Sequence, residues 1–344
     1  MLRETLRKAA AGEPVSAGEA ERSLEAIMEG AINPAVTAAL LTALRVRGES
    51  VGEIVGFARA MRRFAEKVKA PDGVVDTCGT GGDAKGTINI STAAAFVARG
   101  AGVVIAKHGN RAATSLAGSA DVLEALGAEI GLGPDEVGRC IEEVGVGFMF
   151  ARTHHPAMRY VAPVRAELPF RTVFNLLGPL TNPAGARRQL VGVFHGDYVR
   201  PVAEALKELG AEKALVVHGR DGLDEITVTA PTLTAEVSDG NVSEHEISPE
   251  QFGLTRHSPD GLLGGDASLN ARVLRDVLSG EEEGAARDVV LLNAGAAIYV
   301  ADMARTLEEG VRLAEGSIES GAATEALDDF VRVTRRLAGV GGAV

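Results

Sequence analysis

A run of glycines near residue 76 is the first place where this sequence could do chemistry. Val74-Val75-Asp76 predicts a strand, and Gly79, Gly81 and Gly82 follow it within the next residues. Backbone N–H groups of such a loop can converge on an anion because no side chains obstruct them. For single glycines, a tight turn is the simpler explanation. This loop follows a predicted parallel strand, where open α/β sheets bind ligands, so we favour a phosphate or pyrophosphate cradle.

Two familiar nucleotide-binding motifs do not fit this loop. Gly79, Gly81 and Ala84 satisfy the loose dinucleotide pattern, but the acidic ribose ligand expected about 20 residues further on is missing. The P-loop pattern fails because Ala84 precedes Lys85 and Gly86 follows it. The sequence therefore supports neither a dehydrogenase nor an ATPase.

Hydroxyl and amide side chains cluster around the start of the next predicted helix, Ser91 to Arg99. Thr87, Asn89, Ser91 and Thr92 lie within six residues of one another. A helix N-cap would account for one of them. Helix N-termini also bind phosphate through their free N–H groups, and a hydroxyl at this position could ligate Mg²⁺.

A basic motif follows the next predicted strand, Val103 to Ala106. It reads Lys107-His108-Gly109-Asn110-Arg111, and Thr114, Ser115 and Ser119 continue the polar stretch. A solvated basic turn is the simpler explanation. Cations beside a glycine at the end of a strand suit a polyanionic ligand, which is the explanation we favour.

Two adjacent carboxylates, Asp224 and Glu225, come after another predicted strand, Ala214 to Val217. A lone acidic pair is usually part of a polar loop. The ends of parallel strands face one crevice, however, and carboxylate oxygens are ligands that Mg²⁺ prefers. The sequence contains no GxSxG, HExxH or CxxC motif.

Composition narrows the class of protein. The chain has 344 residues, 35 basic and 47 acidic, for a net charge of −12. This charge argues against a general nucleic-acid binder. No apolar run approaches the roughly 18 residues of a membrane span, and the N-terminus has no signal-peptide pattern. Two cysteines, Cys78 and Cys140, are too few for a disulfide scaffold and suit a reducing cytoplasm.

The predicted elements fall into two blocks. Three amphipathic helices are predicted before residue 70, with capping boxes at Ser16/Glu19 and Ser50/Glu53 and an Asn33-Pro34 start between them. Strands and helices then alternate, which predicts a mainly parallel sheet covered by helices. Three further segments complete the pattern: an irregular Pro-rich stretch at 154–183, strands and hairpins within 226–246, and helices from Ser268 onward.

Taken together, these motifs resemble those of the anthranilate phosphoribosyltransferase family. The resemblance runs in order over nearly the whole chain and is carried by the following motifs: GTGGD (79–83), NIST (89–92), KHGNR (107–111), GSADVLEALG (118–127), HPAMRYVAPVR (155–165), RTVFNLLGPLTNP (171–183) and GLDEIT (222–227). It implies a helical domain, 1–70, joined by part of 154–183 and hinged to an α/β domain, 71–344. A cytoplasmic homodimer formed through the helical domains is implied as well.

The resemblance also implies an activity in tryptophan biosynthesis. The 5-phosphoribosyl group of phosphoribosyl pyrophosphate (PRPP) passes to anthranilate, with Mg²⁺ as cofactor and pyrophosphate as the second product. The implied PRPP site is the largest set: Gly79, Gly82, Asp83, Thr87, Asn89, Ile90, Ser91, Thr92, Lys107, His108, Gly109, Asn110, Arg111, Ser115 and Ser119. The implied anthranilate residues are Gly79, His108, Asn110 and Arg165, and the implied Mg²⁺ ligands are Ser91, Asp224 and Glu225.

Within this assignment Lys107 acts electrostatically, and no acid–base residue is expected because the amine of anthranilate is already neutral at pH 7. Two alternative enzymes remain open: a pyrimidine nucleoside phosphorylase and phosphoribosyl transfer to another aromatic amine. A nucleic-acid-binding relative that has lost activity is a third reading, which the net charge disfavours. We expect no membrane partner.

Overall fold

Four helices form the N-terminal region of the computed structural model, which describes residues 2–112 and 116–340. They are α1 (Leu2–Ala10), α2 (Ala17–Met28), α3 (Pro34–Arg47) and α4 (Val51–Phe64). Both predicted capping boxes are confirmed. At the start of α2, for example, the Ser16 hydroxyl accepts from Glu19 N–H at 3.3 Å and the Glu19 carboxylate accepts from Ser16 N–H at 2.9 Å.

The sequence predicted three helices in this region, so α1 is an addition. Its apolar residues Leu2, Leu6 and Ala9 recur at helical spacing, a pattern that the three-helix prediction did not use. Buried Leu2 and Ala9 anchor it, and it packs on α2 and α3. Because a helix of nine residues is marginal alone, this tertiary packing stabilises it.

A seven-stranded sheet follows, in the order β3-β2-β1-β4-β5-β6-β7. The first five strands are parallel and the last two pairings are antiparallel, which confirms the predicted mainly parallel sheet. The strands are β1 (Val75–Gly79), β2 (Ile105–Gly109), β3 (Val146–Phe150), β4 (Arg188–Gly192), β5 (Lys213–Gly219), β6 (Thr232–Ser238) and β7 (Asn241–Ile247).

Helices cover both faces of this sheet. They are α5 (Ile90–Gly100), α6 (Ser119–Ala125), α7 (Pro134–Val144), α8 (Ala151–His154), α9 (Ala162–Glu167), α10 (Phe174–Leu177), α11 (Val199–Glu208), α12 (Ala267–Ser279), α13 (Ala285–Val300), α14 (Leu307–Glu319) and α15 (Ala322–Leu337). Among the described residues, no helix is both long and apolar enough to cross a membrane.

The side chains of β5 show how the two faces divide the core. Leu215 and Val217 join a cluster that includes α5 and the C-terminal helices. Ala214 and Val216 point the other way, into a cluster shared with α11 and the N-terminal helices. This alternation is the period of two that a strand buried on both faces requires.

The Pro-rich stretch 154–183, which we call the connecting segment, consists of short helices and turns. Its α9 contacts α3, its α10 contacts α4, and the 3₁₀ turn Pro156–Tyr160 contacts α2. The last contact is close, because a Cβ on Gly30 would lie 2.7 Å from the Tyr160 ring. The segment therefore lies against the N-terminal helices although it comes between β3 and β4 in the chain.

Two predicted strands have different bounds in the structure. The strand predicted at Val103 to Ala106 is β2, Ile105–Gly109, so Lys107, His108 and Gly109 lie within the strand instead of after it. Residues 226–231 were predicted as strand but are irregular. In β2 the polar residues pair with β3, whereas at 226–231 the hydroxyls of Thr227 and Thr229 bond to Asp221 and no strand pairing forms. Local hydrophobic patterning reports neither kind of contact.

Candidate active site

The order in which the chain adds strands to the sheet reverses between β1 and β4. The chain leaves β1 toward β2 and β3 on one side, and β4 continues to β5 on the other, so a crevice opens at the carboxyl ends of β1 and β4. Residues 220–231, which we call the acidic loop, lie over this point. A Cβ on Gly192, the last residue of β4, would lie 1.6 Å from the Asp224 carbonyl oxygen. Only glycine lets the acidic loop approach so closely.

Residues 79–86, which we call the glycine loop, face the acidic loop. Gly81 N–H donates to the Asp224 carboxylate at 2.7 Å. A Cβ on Gly79 would lie 2.7 Å from the same carboxylate, so this glycine too is required for close approach. The Gly82 carbonyl accepts from the Arg171 guanidinium, which lies 4.2 Å from the centroid of the Phe194 ring. The connecting segment therefore contacts the glycine loop directly through Arg171.

The first turn of α5 supplies a second contact with the acidic loop. Ser91 N–H, unpaired within the helix, donates to the Glu225 carboxylate at 3.2 Å. The Ser91 hydroxyl accepts from Lys107 Nζ at 3.3 Å. The hydroxyl of Thr92 is buried and has no hydrogen-bond partner among the described residues. Ile90, the first residue of α5, is buried, so its side chain belongs to the core.

Asn89 precedes α5 and occupies the N-cap position, but its side chain does not cap the helix. Instead its amide donates to the Ala117 carbonyl at 3.2 Å, and its oxygen accepts from Asn270 at 2.8 Å. Thr87, two residues earlier, forms an isolated bridge with Leu263. Residues far along the chain therefore fix the position of the hydroxyl-rich stretch, 87–92.

Lys107 is a buried cation in β2. Its Nζ donates to the carbonyl oxygen of Thr77 as well as to Ser91. Burial lowers the pKa of Lys107, and the nearby carboxylates of Asp76 and Glu225 act in the opposite direction. Lys107 therefore places a positive group under the crevice, at the first turn of α5.

The two carboxylates of the acidic loop are both almost fully buried. Burial, and then repulsion from Glu225, raises the pKa of Asp224 well above its usual value. Burial raises the pKa of Glu225 to about 7. Neither carboxylate forms a direct ion pair within 4 Å among the described residues, although the positive charge of nearby Lys107 opposes burial and acts to lower the pKa of Glu225.

These residues fit Mg²⁺. Two buried carboxylates without an ion-pair partner, with the Ser91 hydroxyl alongside, form the all-oxygen donor set that this ion prefers. Within the described ranges, no three His, Cys, Asp or Glu side chains converge into a complete metal cage. Mg²⁺ usually keeps waters and substrate phosphates as its other ligands, so an incomplete protein cage is what this metal needs.

The connecting segment meets β2 at His108. The His108 ring Nδ1 lies 3.1 Å from the Gly178 carbonyl, and its ring centroid lies 5.0 Å from that of His155. Burial lowers the pKa of His108 to about 3 and that of His155 to about 4. Both rings are therefore neutral near pH 7. The structure places His108 with the connecting segment, away from the hydrogen bonds of the glycine loop.

Arg165 lies in α9 of the same segment. Its guanidinium is 5.6 Å from the centroid of the Phe174 ring, and burial lowers its pKa. Within the described part of the chain it has no carboxylate within 4 Å. Its N–H donors remain available for a planar carboxylate, which a guanidinium binds with two parallel hydrogen bonds.

The remaining candidates lie around the end of β2. Asn110 and Ser119 touch, since the Ser119 hydroxyl donates to the Asn110 carbonyl at 3.2 Å. The Arg111 guanidinium contacts Asp121 at 2.8 Å and Glu124 at 2.5 Å, so in this structure it is turned toward α6. Ser115 lies outside the described residues.

Sequence reasoning missed the residues that brace this site. Asp76 is fully buried in β1, where its carboxylate accepts from His108 N–H at 3.0 Å and from the Asn182 amide at 2.8 Å. Burial raises the pKa of Asp76. A carboxylate in an otherwise apolar strand is the signal that could have found it. Arg171 opens the motif RTVFNLLGPLTNP (171–183), but nothing in that motif indicated a contact with the glycine loop.

Comparison with known proteins identifies the class. Residues 3–65 match the model of the glycosyl transferase family helical bundle domain, and residues 71–324 match that of the glycosyl transferase family a/b domain. The fold and the crevice therefore define a glycosyl transferase of this two-domain type.

Individual relatives identify the family within this class of glycosyl transferases. The anthranilate phosphoribosyltransferase of Rubrobacter xylanophilus is 82% identical over 341 residues, 99% of this chain and 100% of that protein. The crystal structure of the Thermus thermophilus enzyme matches with a TM-score of 0.92 at 48% identity, over 96% of this chain and 99% of that one. The Saccharomyces cerevisiae enzyme, in complex with PRPP and Mg, matches at 0.88 and 28% identity, over 97% and 98%. The chain belongs to the anthranilate phosphoribosyltransferase family.

Proposed function

We propose that this chain transfers the 5-phosphoribosyl group of PRPP to anthranilate in tryptophan biosynthesis. The observation that carries the proposal is the meeting of the acidic loop, the glycine loop and the first turn of α5 over one crevice, through the Asp224–Gly81 and Glu225–Ser91 hydrogen bonds. In the reaction the bond from ribose C1 to the pyrophosphate oxygen breaks, a bond from C1 to the anthranilate nitrogen forms, and that nitrogen releases one proton.

The pyrophosphate end of PRPP is assigned to the glycine loop and the start of α5. Free N–H groups of a glycine-rich loop and of a helix N-terminus stabilise the negative charge that builds on the leaving group. Lys107 adds a positive charge below it, and Asn89, Ser91 and Thr92 offer hydrogen bonds. Asp224, Glu225 and Ser91 would hold Mg²⁺, which when bound neutralises charge on the departing pyrophosphate.

Anthranilate is assigned to the connecting segment. Arg165 grips its carboxylate, and the neutral rings of His108 and His155 provide an uncharged wall for its aromatic ring. Neutral surroundings suit an amine that attacks without prior deprotonation. Asn110 and Gly79, at the ends of β2 and β1, complete the anthranilate assignment.

Three further parts of the proposal concern the whole molecule: its domains, its oligomeric state and its location. We assign residues 1–70 and part of the connecting segment to one domain and 71–344 to the other, which the α3–α9 and α2–Tyr160 contacts support. The homodimer, formed through the helical domains, is assigned because the resemblance to the family implies it. The cytoplasmic location is supported by Cys78 and Cys140, which are buried and unpaired.

The test follows the fluorescence of anthranilate mixed with purified protein, PRPP and Mg²⁺, with omission of PRPP and addition of EDTA as controls. The proposal predicts a loss of signal that needs both PRPP and metal. If the folded protein leaves the signal unchanged, the acceptor is wrong, and assays with pyrimidine nucleosides plus phosphate and with other aromatic amines distinguish the two alternative enzymes.

A further inference from the structure

The acidic loop is irregular, yet it must hold two buried carboxylates in place. It joins β5 to β6 with no strand or helix between Gly219 and Thr232. Many of its hydrogen bonds are internal: the Asp221 carboxylate, for example, accepts from Leu223 N–H at 3.2 Å and from the Thr227 hydroxyl at 2.7 Å. Such bonds shape the loop but do not fix it relative to the crevice.

Asn293 supplies an anchor from outside the loop. This residue of α13 is fully buried, and its side chain pairs with both backbone groups of Ile226, the residue after Glu225. Its amide oxygen accepts from Ile226 N–H at 3.1 Å, and its NH₂ group donates to the Ile226 carbonyl at 2.8 Å. The second amide hydrogen reaches the Val289 carbonyl at 2.8 Å, within α13 itself. Two-point pairing fixes both the position and the rotation of the backbone that carries Glu225.

The carboxylates lie on the far side of this anchor. Asp224 reaches Gly81 and Glu225 reaches Ser91, so the acidic loop is fastened at one edge by α13 and touches the crevice with the other. Metal ligands are commonly held by such supporting hydrogen bonds, and losing one typically costs 10- to 100-fold in metal affinity.

We propose that Asn293 is a positioning residue that aims the Asp224 and Glu225 carboxylates and thereby sets the affinity for the divalent cation. This deepens the proposed function, because it rests on those carboxylates as the cation site. Asn293 itself touches neither substrate nor metal and acts through the backbone of Ile226.

A buried threonine away from the crevice offers a matched control. Thr334 of α15 is 1% exposed and also bridges two partners: its hydroxyl accepts from Glu129 N–H at 3.2 Å and donates to the Val331 carbonyl at 3.1 Å. Thr334→Ala likewise removes a buried polar group that bonds to backbone, but the backbone that it releases belongs neither to the acidic loop nor to the first turn of α5.

The experiment measures Mn²⁺ binding by the full chain without substrates, from the electron paramagnetic resonance signal of free Mn²⁺. Asn293→Ala is expected to weaken binding about tenfold, and Thr334→Ala is expected to remain within about twofold of wild type. Thermal unfolding of each variant establishes that it is folded. If Asn293→Ala does not fold, Asn293→Ser replaces it, because the shorter serine side chain does not reach the two groups of Ile226 that the asparagine amide spans with two separate atoms.

Three results would overturn the proposal: wild-type Mn²⁺ affinity in folded Asn293→Ala or Asn293→Ser, equal weakening in Thr334→Ala, or no Mn²⁺ binding by the wild-type chain. None of them depends on the identity of the acceptor. A failure of anthranilate transfer in the wild type would therefore count against the proposed function and leave this test standing.

Discussion

The two sides of the crevice use opposite electrostatics. On the side of the glycine loop, buried carboxylates and a buried lysine lie within a few ångströms of backbone N–H groups and hydroxyls. On the side of the connecting segment, two buried histidines are neutral, and Arg165 has no carboxylate partner among the described residues. The first side suits a polyanion with its metal, and the second suits an aromatic ring with one carboxylate. Variants that affect one substrate only would sharpen this division.

The largest effect is expected on the side of the glycine loop. Lys107→Met removes the buried cation while keeping an unbranched chain of similar length, and should lower kcat/KM for PRPP by about 10²- to 10³-fold. The KM for anthranilate should stay within about threefold, because Lys107 contacts Thr77 and Ser91 and not the connecting segment. Steady-state kinetics in both substrates provide the measurement. A selective rise in the KM for anthranilate would contradict the division.

An intermediate effect is expected on the other side. Arg165→Ala should raise the KM for anthranilate about 10- to 100-fold, the cost of losing a charge-assisted hydrogen-bond pair. The KM for PRPP should be unchanged. Arg159→Ala, an exposed arginine of the same segment that lies 4.7 Å from the Tyr160 ring centroid, serves as the matched control and should behave as wild type. Equal effects of the two substitutions would remove Arg165 from the site.

The smallest effect concerns stability toward acid. His108 and His155 have pKa values of about 3 and 4 when folded, but about 6.5 when unfolded. The unfolded chain therefore binds protons first as pH falls, so the contribution of these rings is present above pH 6.5 and is lost below it. At pH 5.5 the loss is about 1.4 kcal/mol for each ring.

The unfolding free energy falls between pH 7.5 and pH 5.5 in both proteins, and this fall should be about 1 kcal/mol smaller in His155→Gln than in the wild type. Denaturant unfolding at the two pH values gives the comparison, with exposed His195→Gln as the control that should retain the wild-type difference. If the His155→Gln and wild-type losses agree, the neutral wall on the side of the connecting segment is wrong.

The sequence predicted the side of the glycine loop better than the side of the connecting segment. Gly79 ends a strand, Asp224 and Glu225 follow one, and Ser91 lies in the first turn of a helix, so strand order brings these positions together. Lys107 lies within β2 and not after it, but the neighbouring β1 and α5 place it beside them. The positions of His108 and Arg165 depend on how an irregular segment folds back on the N-terminal helices, and its short turns carry no periodic signal. Arg165 was assigned only through the family resemblance, and local patterning predicted the surroundings of neither residue.

The role of the residues that support the site could not be predicted from the sequence, for a different reason. Asn293 and Asn270 sit in helices that read as ordinary amphipathic or buried elements, and their partners are 67 and 181 residues away in the chain. Arg111 shows the converse: its motif was recognised, but the acids that it contacts, Asp121 and Glu124, lie 10 and 13 residues further along the chain. Long-range pairing of polar groups is invisible to a pattern that runs along the chain.

The most direct test of the division is calorimetric binding of PRPP with Mg²⁺ to two variants. The account predicts that Asp224→Asn combined with Glu225→Gln abolishes Mg²⁺-dependent PRPP binding, whereas Arg165→Ala binds PRPP with wild-type affinity. Undiminished binding by the first variant, or a loss of PRPP binding in the second, would contradict the assignment of the two substrates to opposite sides of the crevice.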